Sequence, residues 1–144
     1  MSTAHGLIQP QSSPLPLRIC LNSDDSDGEL GVVELVLDPG TGPPLHVHPT
    51  HGEGFYVLAG ELTVQVGEQI VTGGPRTWAF APKNIAHTLA NLTDQETRVL
   101  CVFAPAGFER RFERMLAEQA GQQLPEPSTA ETRVLGPPLT AEAP

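Results

Sequence analysis

The chain predicts an all-β domain, one small barrel of short strands, finished by a single C-terminal helix. Three observations lead there. Short runs of β-branched and apolar residues recur from Leu17 to Phe103, separated by Gly, Pro, Asn and Asp turn signals. The 144 residues suffice to bury one core, and no internal repeat asks for a second barrel. From Gly107 the apolar period lengthens from two residues to nearly four, the change from strand to helix. The expected organisation is an N-terminal arm and first strand over 1–28, a barrel core over 29–104, a helix over 105–120 and a Pro-rich tail over 121–144.

Met1 to Pro16 is rich in Pro and Ser and has no periodicity, as an arm would. Leu17–Leu21 reads as the first strand. Asn22–Gly28 (NSDDSDG) ends it, and because the run lacks the terminal bidentate Glu of a calcium loop, it reads as a solvated turn. Glu29–Leu37 (ELGVVELVL) is the next strand, closed by Asp38-Pro39-Gly40. Phe55–Ala59 and Glu61–Val66 flank Gly60 and read as a hairpin, with Leu62, Val64 and Val66 inward and Thr63 and Gln65 outward. Gln69–Thr72, Thr77–Ala81, Ala86–Asn91 and Thr97–Phe103 continue the series. In the helix, Phe108, Phe112, Met115 and Leu116 form an apolar stripe among charged residues. Packing on the outside of the barrel is the favoured reading of that stripe, ahead of a lid over its open end. In the tail, Val134–Pro138 has enough apolar character to pin itself to the body.

Charge and composition exclude several classes of partner. Eight basic against seventeen acidic residues give a net charge of -9, which argues against nucleic acid and anionic membranes. No stretch approaches the roughly 20 apolar residues of a membrane span, and the start MSTAHGLIQPQ lacks the marks of a secretory signal, so a cytoplasmic protein is expected. Cys20 and Cys101 sit in apolar runs without CxxC spacing and read as small core residues.

Chemistry concentrates between Gly40 and Gly60 (GTGPPLHVHPTHGEGFYVLAG). His46 and His48 are two apart, so on a strand both imidazoles lie on one face. Glu53 falls five residues later, where a straight strand would send it to the other face; Pro49 and Gly52 interrupt the run and allow a bend or bulge to bring it back. The best fourth ligand is His87, on a separate strand with Leu89 and Asn91. Three imidazoles and a carboxylate suit one divalent transition metal with open positions, Fe(II) favoured, with Mn, Ni, Cu or Zn compatible. His51 reads first as a surface-loop histidine, with a catalytic proton shuttle or substitute ligand as the sharper readings. Alternation places Phe55, Val57, Leu89, Phe103 and either Trp78 or Phe80 along a substrate pocket, joined by Val36 and Leu45, and Asn91 either orients a ligand or caps its strand.

The spacing Gly40, five residues, His46-x-His48, four residues, Glu53, six residues, Gly60 resembles the first signature motif of the cupin superfamily without a departure. Pro82 through His87 to Asn91 is similar to the second motif, with Asn84 where the family has glycine and its leading Gly displaced to Gly73 or Gly74. Asn accepts a positive φ better than other non-glycine residues, so the turn survives. The resemblance implies a jelly-roll barrel, the metal ligands His46, His48, Glu53 and His87, and a homodimer with exchanged N-terminal arms. It further implies a small quercetin-dioxygenase-like cupin, whose substrate binds the metal through an enolate or phenolate oxygen while Glu53 binds the metal, takes the substrate proton as catalytic base, or does both. A non-redox isomerase, cyclase or lyase, and a small-molecule-binding cupin without turnover, are the alternatives.

Overall fold

Period-two alternation is clearest along Thr97–Ala104, where Thr97, Val99, Cys101 and Phe103 are buried and the residues between them are not. The computed structural model describes residues 6–11, 13–123 and 132–140. The expected arm therefore lies partly outside the described residues. In chain order the elements are β1 (Leu17–Leu21), α1 (Ser23–Ser26), β2 (Gly31–Leu37), β3 (Pro44–Val47), β4 (Gly52–Ala59), β5 (Leu62–Val66), β6 (Gln69–Gly73), β7 (Trp78–Ala81), β8 (His87–Ala90), β9 (Thr97–Ala104), α2 (Glu109–Gln119) and β10 (Arg133–Pro138).

Among the described residues the strands form two five-stranded sheets, ordered β1-β2-β9-β4-β7 and β10-β3-β8-β5-β6, and every pairing is antiparallel. This is the double-sheeted jelly roll with a C-terminal helix that the sequence predicts. Val33, Phe55, Val57, Val99, Cys101 and Phe103 of the first sheet meet Leu62, Val64 and Leu89 of the second in one core. Phe108, just ahead of α2, joins the same core.

Two expectations are corrected here. The runs on either side of Gly60 are not a hairpin: β4 pairs with β7 and β9, whereas β5 pairs with β6 and β8. Gly60 is the corner at which the chain leaves one sheet for the other. It takes φ 78°, and a Cβ there would meet the Glu96 carbonyl at 2.5 Å, so only glycine fits without a shift. Thr63, expected outside, is buried, its hydroxyl 2.9 Å from that of Thr72.

The acidic run after β1 is also more than a solvated turn. Asn22 caps α1 through the Asp25 amide. The Ser23 amide and hydroxyl donate to the Glu109 carboxylate at 2.8 and 2.5 Å, and Arg110 pairs with Asp24 at 2.9 Å. The turn thus clasps the first turn of α2. Finally, residues of the expected tail form β10 and pair with β3, Arg133 against Val47 and Val134 against His46.

Candidate metal centre

His46 and His87 are direct register partners across β3 and β8, which sets their imidazoles side by side with ring centroids 4.5 Å apart. His48 follows at the end of β3 on the same face. Glu53 arrives by a different route from the bulge expected. Between β3 and β4 the chain crosses to the facing sheet, so Glu53 points inward together with Phe55 and Val57 and meets the histidines from across the barrel. Crossing between layers turns an odd spacing into a convergent one.

The ligand atoms of His46, His48, Glu53 and His87 all lie within 4.8 Å of one another, and all four residues are buried. Glu53 Oε1 is 3.3 Å from the Nε2 of both His48 and His87. The outer ring nitrogens are engaged elsewhere. Nδ1–H of His46 donates to the Pro44 carbonyl at 2.6 Å, and Nδ1–H of His87 to the Ile85 carbonyl at 2.9 Å. Because a carbonyl only accepts, each bond keeps a proton on Nδ1 and turns Nε2 toward the cluster, where it is a lone pair for a cation in the neutral ring and, for His87, a donor to Glu53 in the imidazolium. The turn ahead of β8 is held in place as well: Asn84 adopts φ 65° and its amide donates to the His48 carbonyl at 2.9 Å.

Charge in the cluster is finely set. Burial alone would raise the Glu53 carboxyl, but hydrogen bonds from His48 and His87 and their charge outweigh it and hold the group down at about 2. His46 is lowered, chiefly by burial. For His87 burial pulls downward, and the bond and charge of Glu53 overcome it, raising the pKa. Three imidazoles, two of them with defined tautomers, and one ionised carboxylate converge in a buried space; this donor set fits a single divalent cation with positions left open.

Beside the cluster lies a cavity of about 310 Å³, lined by Leu35, Leu37, Pro43, Leu89, Cys101, Phe108, Phe112 and Met115, with His46 and Glu53 as its imidazole and carboxylate. Three of those residues belong to α2 or its start, so the helix closes the cavity. This corrects the favoured reading of outer-surface packing. The apolar stripe has a better partner in the mouth of the barrel, where Phe112 stacks on Phe103 at 6.1 Å and Phe108 packs against His48 at 4.5 Å.

Residues 33–103 match the cupin domain family. That match spans just under half of the chain. Among curated proteins no sequence matches the chain significantly. Among solved structures the chain is similar to TT1209 from Thermus thermophilus, with 29% identity, 60% of this chain and 83% of that one covered, and a TM-score of 0.53. It is similar in fold to a predicted oxalate decarboxylase from Thermotoga maritima, with 20% identity, coverage of 62% and 78%, and a TM-score of 0.59. KdgF from Halomonas sp. shares the fold at 21% identity, with coverage of 72% and 94% and a TM-score of 0.57.

Several pocket assignments are corrected. Trp78 and Phe80 are 53% and 52% exposed, on the outer face of the first sheet. Their rings lie over Gly54 and Gly52, where a Cβ would run into them, and Ala79 and Ala81 take the inward positions. Asn91 is fully buried but spent: its amide donates to the Leu37 and Gln95 carbonyls and its oxygen accepts from Thr93, so it staples the turn before β9. Val36 and Leu45 give way to Leu35 and Leu37, which have the inward parity. Leu89 lines the cavity, while Phe55 and Phe103 are buried behind the histidines, 6.0 Å from His87 and 5.7 Å from His51 respectively.

His51 is not a surface residue. It is 2% exposed and stacks on His48 with ring centroids 4.3 Å apart. Its Nδ1 lies 3.0 Å from the Thr50 hydroxyl, its Nε2 has no hydrogen-bond partner among the described residues, and burial first of all pushes its pKa down to about 4. It backs a metal-cluster histidine as a neutral ring. The cavity residues that sequence reasoning missed are Leu35, Leu37, Pro43, Cys101 and the helix residues Phe108, Phe112 and Met115. The stripe in α2 was the available signal for the last three.

Proposed function

We propose that this cupin is a metal-dependent enzyme acting on a small, largely apolar molecule with an acidic enol or phenol group, and that it uses dioxygen. The observation that carries this reading is the cavity itself: about 310 Å³ of apolar wall opening onto His46 and Glu53. That volume is at the low end for ligand pockets and suits a one-ring molecule better than a large one. A divalent metal held by His46, His48, Glu53 and His87, Fe(II) favoured, supplies when bound a Lewis-acidic centre with open positions for substrate and dioxygen.

The protein's own groups define the rest. Leu35, Leu37, Leu89, Phe108 and Phe112 exclude water and grip the apolar body of the ligand. Glu53 is ionised at neutral pH and faces the cavity, so it orients an acidic hydroxyl and accepts its proton. With a pKa of about 2 it binds that proton weakly, which makes it a ligand first and a base only for a strongly acidified hydroxyl.

One observation favours a second reading, a non-redox isomerase, cyclase or lyase. Cys101, an oxidisable thiol, lines the same cavity, where oxygen chemistry would put it at hazard. The experiment that separates them is elemental analysis of protein purified without chelators, together with oxygen uptake on adding small phenols and enols. Near-stoichiometric iron with substrate-dependent oxygen consumption is the expected result. Turnover without oxygen consumption moves the assignment to the non-redox class, and failure to bind any divalent metal overturns both. A homodimer is part of the proposal. The edge strands β6 and β7, carrying exposed Ile70, Val71, Trp78 and Phe80, support it, and light scattering should give twice the 15.4 kDa chain mass.

A further inference from the structure

The three histidines of the cluster are steadied in two different ways. His46 and His87 each bond a carbonyl two residues earlier on their own strand, so their orientation is built in locally. His48 is steadied from 84 residues away. Its Nδ1 lies 3.2 Å from the Thr132 hydroxyl.

The register of β10 on β3 accounts for that contact. Val134 pairs with His46 and Arg133 with Val47, and continuing the antiparallel ladder by one step sets Thr132 opposite His48. Arg111 of α2 donates from Nη1 to the same hydroxyl oxygen at 3.2 Å, and its guanidinium lies 5.8 Å from the centre of the Phe108 ring. The helix over the cavity and the returning C-terminal strand therefore meet at one hydroxyl, on the outer edge of one imidazole.

We infer that Thr132 is a positioning residue for the metal centre: it accepts the Nδ1–H of His48, fixes that ring's tautomer and angle, and makes the docked C-terminal strand part of the site. The inference rests on the metal-centre reading. Metal binding at Nε2 requires the neutral imidazole to carry its proton on Nδ1, and that proton needs an acceptor. For the other two rings the acceptor is the backbone. For His48 it is the Thr132 oxygen, which has lone pairs for both Arg111 and His48. Metal affinity and docking of β10 are then linked: whatever displaces the strand removes the acceptor, and a bound cation that holds His48 in place favours the docked strand.

The test is Zn(II) affinity of the full chain, measured by competition with a chromophoric chelator, for wild type, Thr132→Val and Thr132→Ser. Valine keeps the shape and removes the acceptor. It should weaken Zn(II) binding about 10- to 100-fold, the usual cost of losing such a supporting bond, while serine should recover most of it. In zinc-loaded wild type, nitrogen NMR should find the His48 proton on Nδ1. Equal affinity of the valine variant overturns the inference, and so does a serine variant as weak as valine, because the loss would then come from strand packing. A wild-type chain that takes up no Zn(II) fails the metal-centre reading itself, a different result from wild type and valine binding alike.

Discussion

Two cavities are of nearly equal size, about 310 Å³ beneath α2 and about 300 Å³ at the edge where β6 and β7 lie. Both have largely apolar walls. The second is lined by Val64, Val66, Gln69, Val71, Thr77, Trp78, Ala79 and Phe80 and holds no ionisable group. The first opens on a buried carboxylate and an imidazole that share a cluster with two more imidazoles. Volume therefore does not mark the site. What distinguishes it is that the fold buries charge there and supplies each charge with partners, an arrangement costly enough that an apolar filling would serve stability better.

The sharpest way to break that contrast is to remove the carboxylate. Glu53→Gln should lower metal affinity by more than the roughly 100-fold that loss of a supporting hydrogen bond costs, because a ligand itself is gone. Calorimetric titration with Mn(II) or Zn(II) checks this, and retained affinity would leave the two cavities chemically equivalent. A smaller effect is expected from acid. His51 has a folded pKa of about 4 against an ordinary 6.5, so the fold favours its neutral form. That contribution is complete above pH 6.5 and is lost as the pH falls through about 4. Urea midpoints of metal-free protein should fall across this window, and His51→Phe, which keeps a ring against Phe103 and Phe108, should flatten the fall. Parallel curves for the two proteins would mean that His51 does not titrate as its burial demands. The smallest effect belongs to the second cavity. Val71→Thr, on an edge strand and 48% exposed, should change stability by no more than about 0.5 kcal/mol and leave metal affinity unchanged. Any change in metal binding would show that the two cavities communicate.

The metal cluster was the most legible part of the chain, because His46, His48 and Glu53 lie within eight residues and strand parity says where each imidazole points. The strands were legible for the same reason, and β1 falls on the expected residues. Which strand joins which sheet was not, since a turn at Gly60 looks alike whether the chain folds back or crosses over. The alternation Trp78-Ala79-Phe80-Ala81 permits two choices, and hydrophobicity alone points the large rings inward. The structure takes the other choice: Gly52 and Gly54 on the paired strand leave room outside for the two rings, while Ala79 and Ala81 lie in register with the inward-pointing Phe55 and Glu53. Thr132 had no local signal at all, because its place depends on a strand pairing that spans most of the chain.

Glu109 is fully buried at the start of α2, accepting from the Gly107 amide and from the amide and hydroxyl of Ser23, and it sits so close to Gly31 that no side chain fits there. The helix over the cavity is thus bolted at its head. The cover is therefore set from that end, and the rings nearest the fixed point, Phe108 and Phe112, are the ones that wall the cavity beside His46 and Glu53.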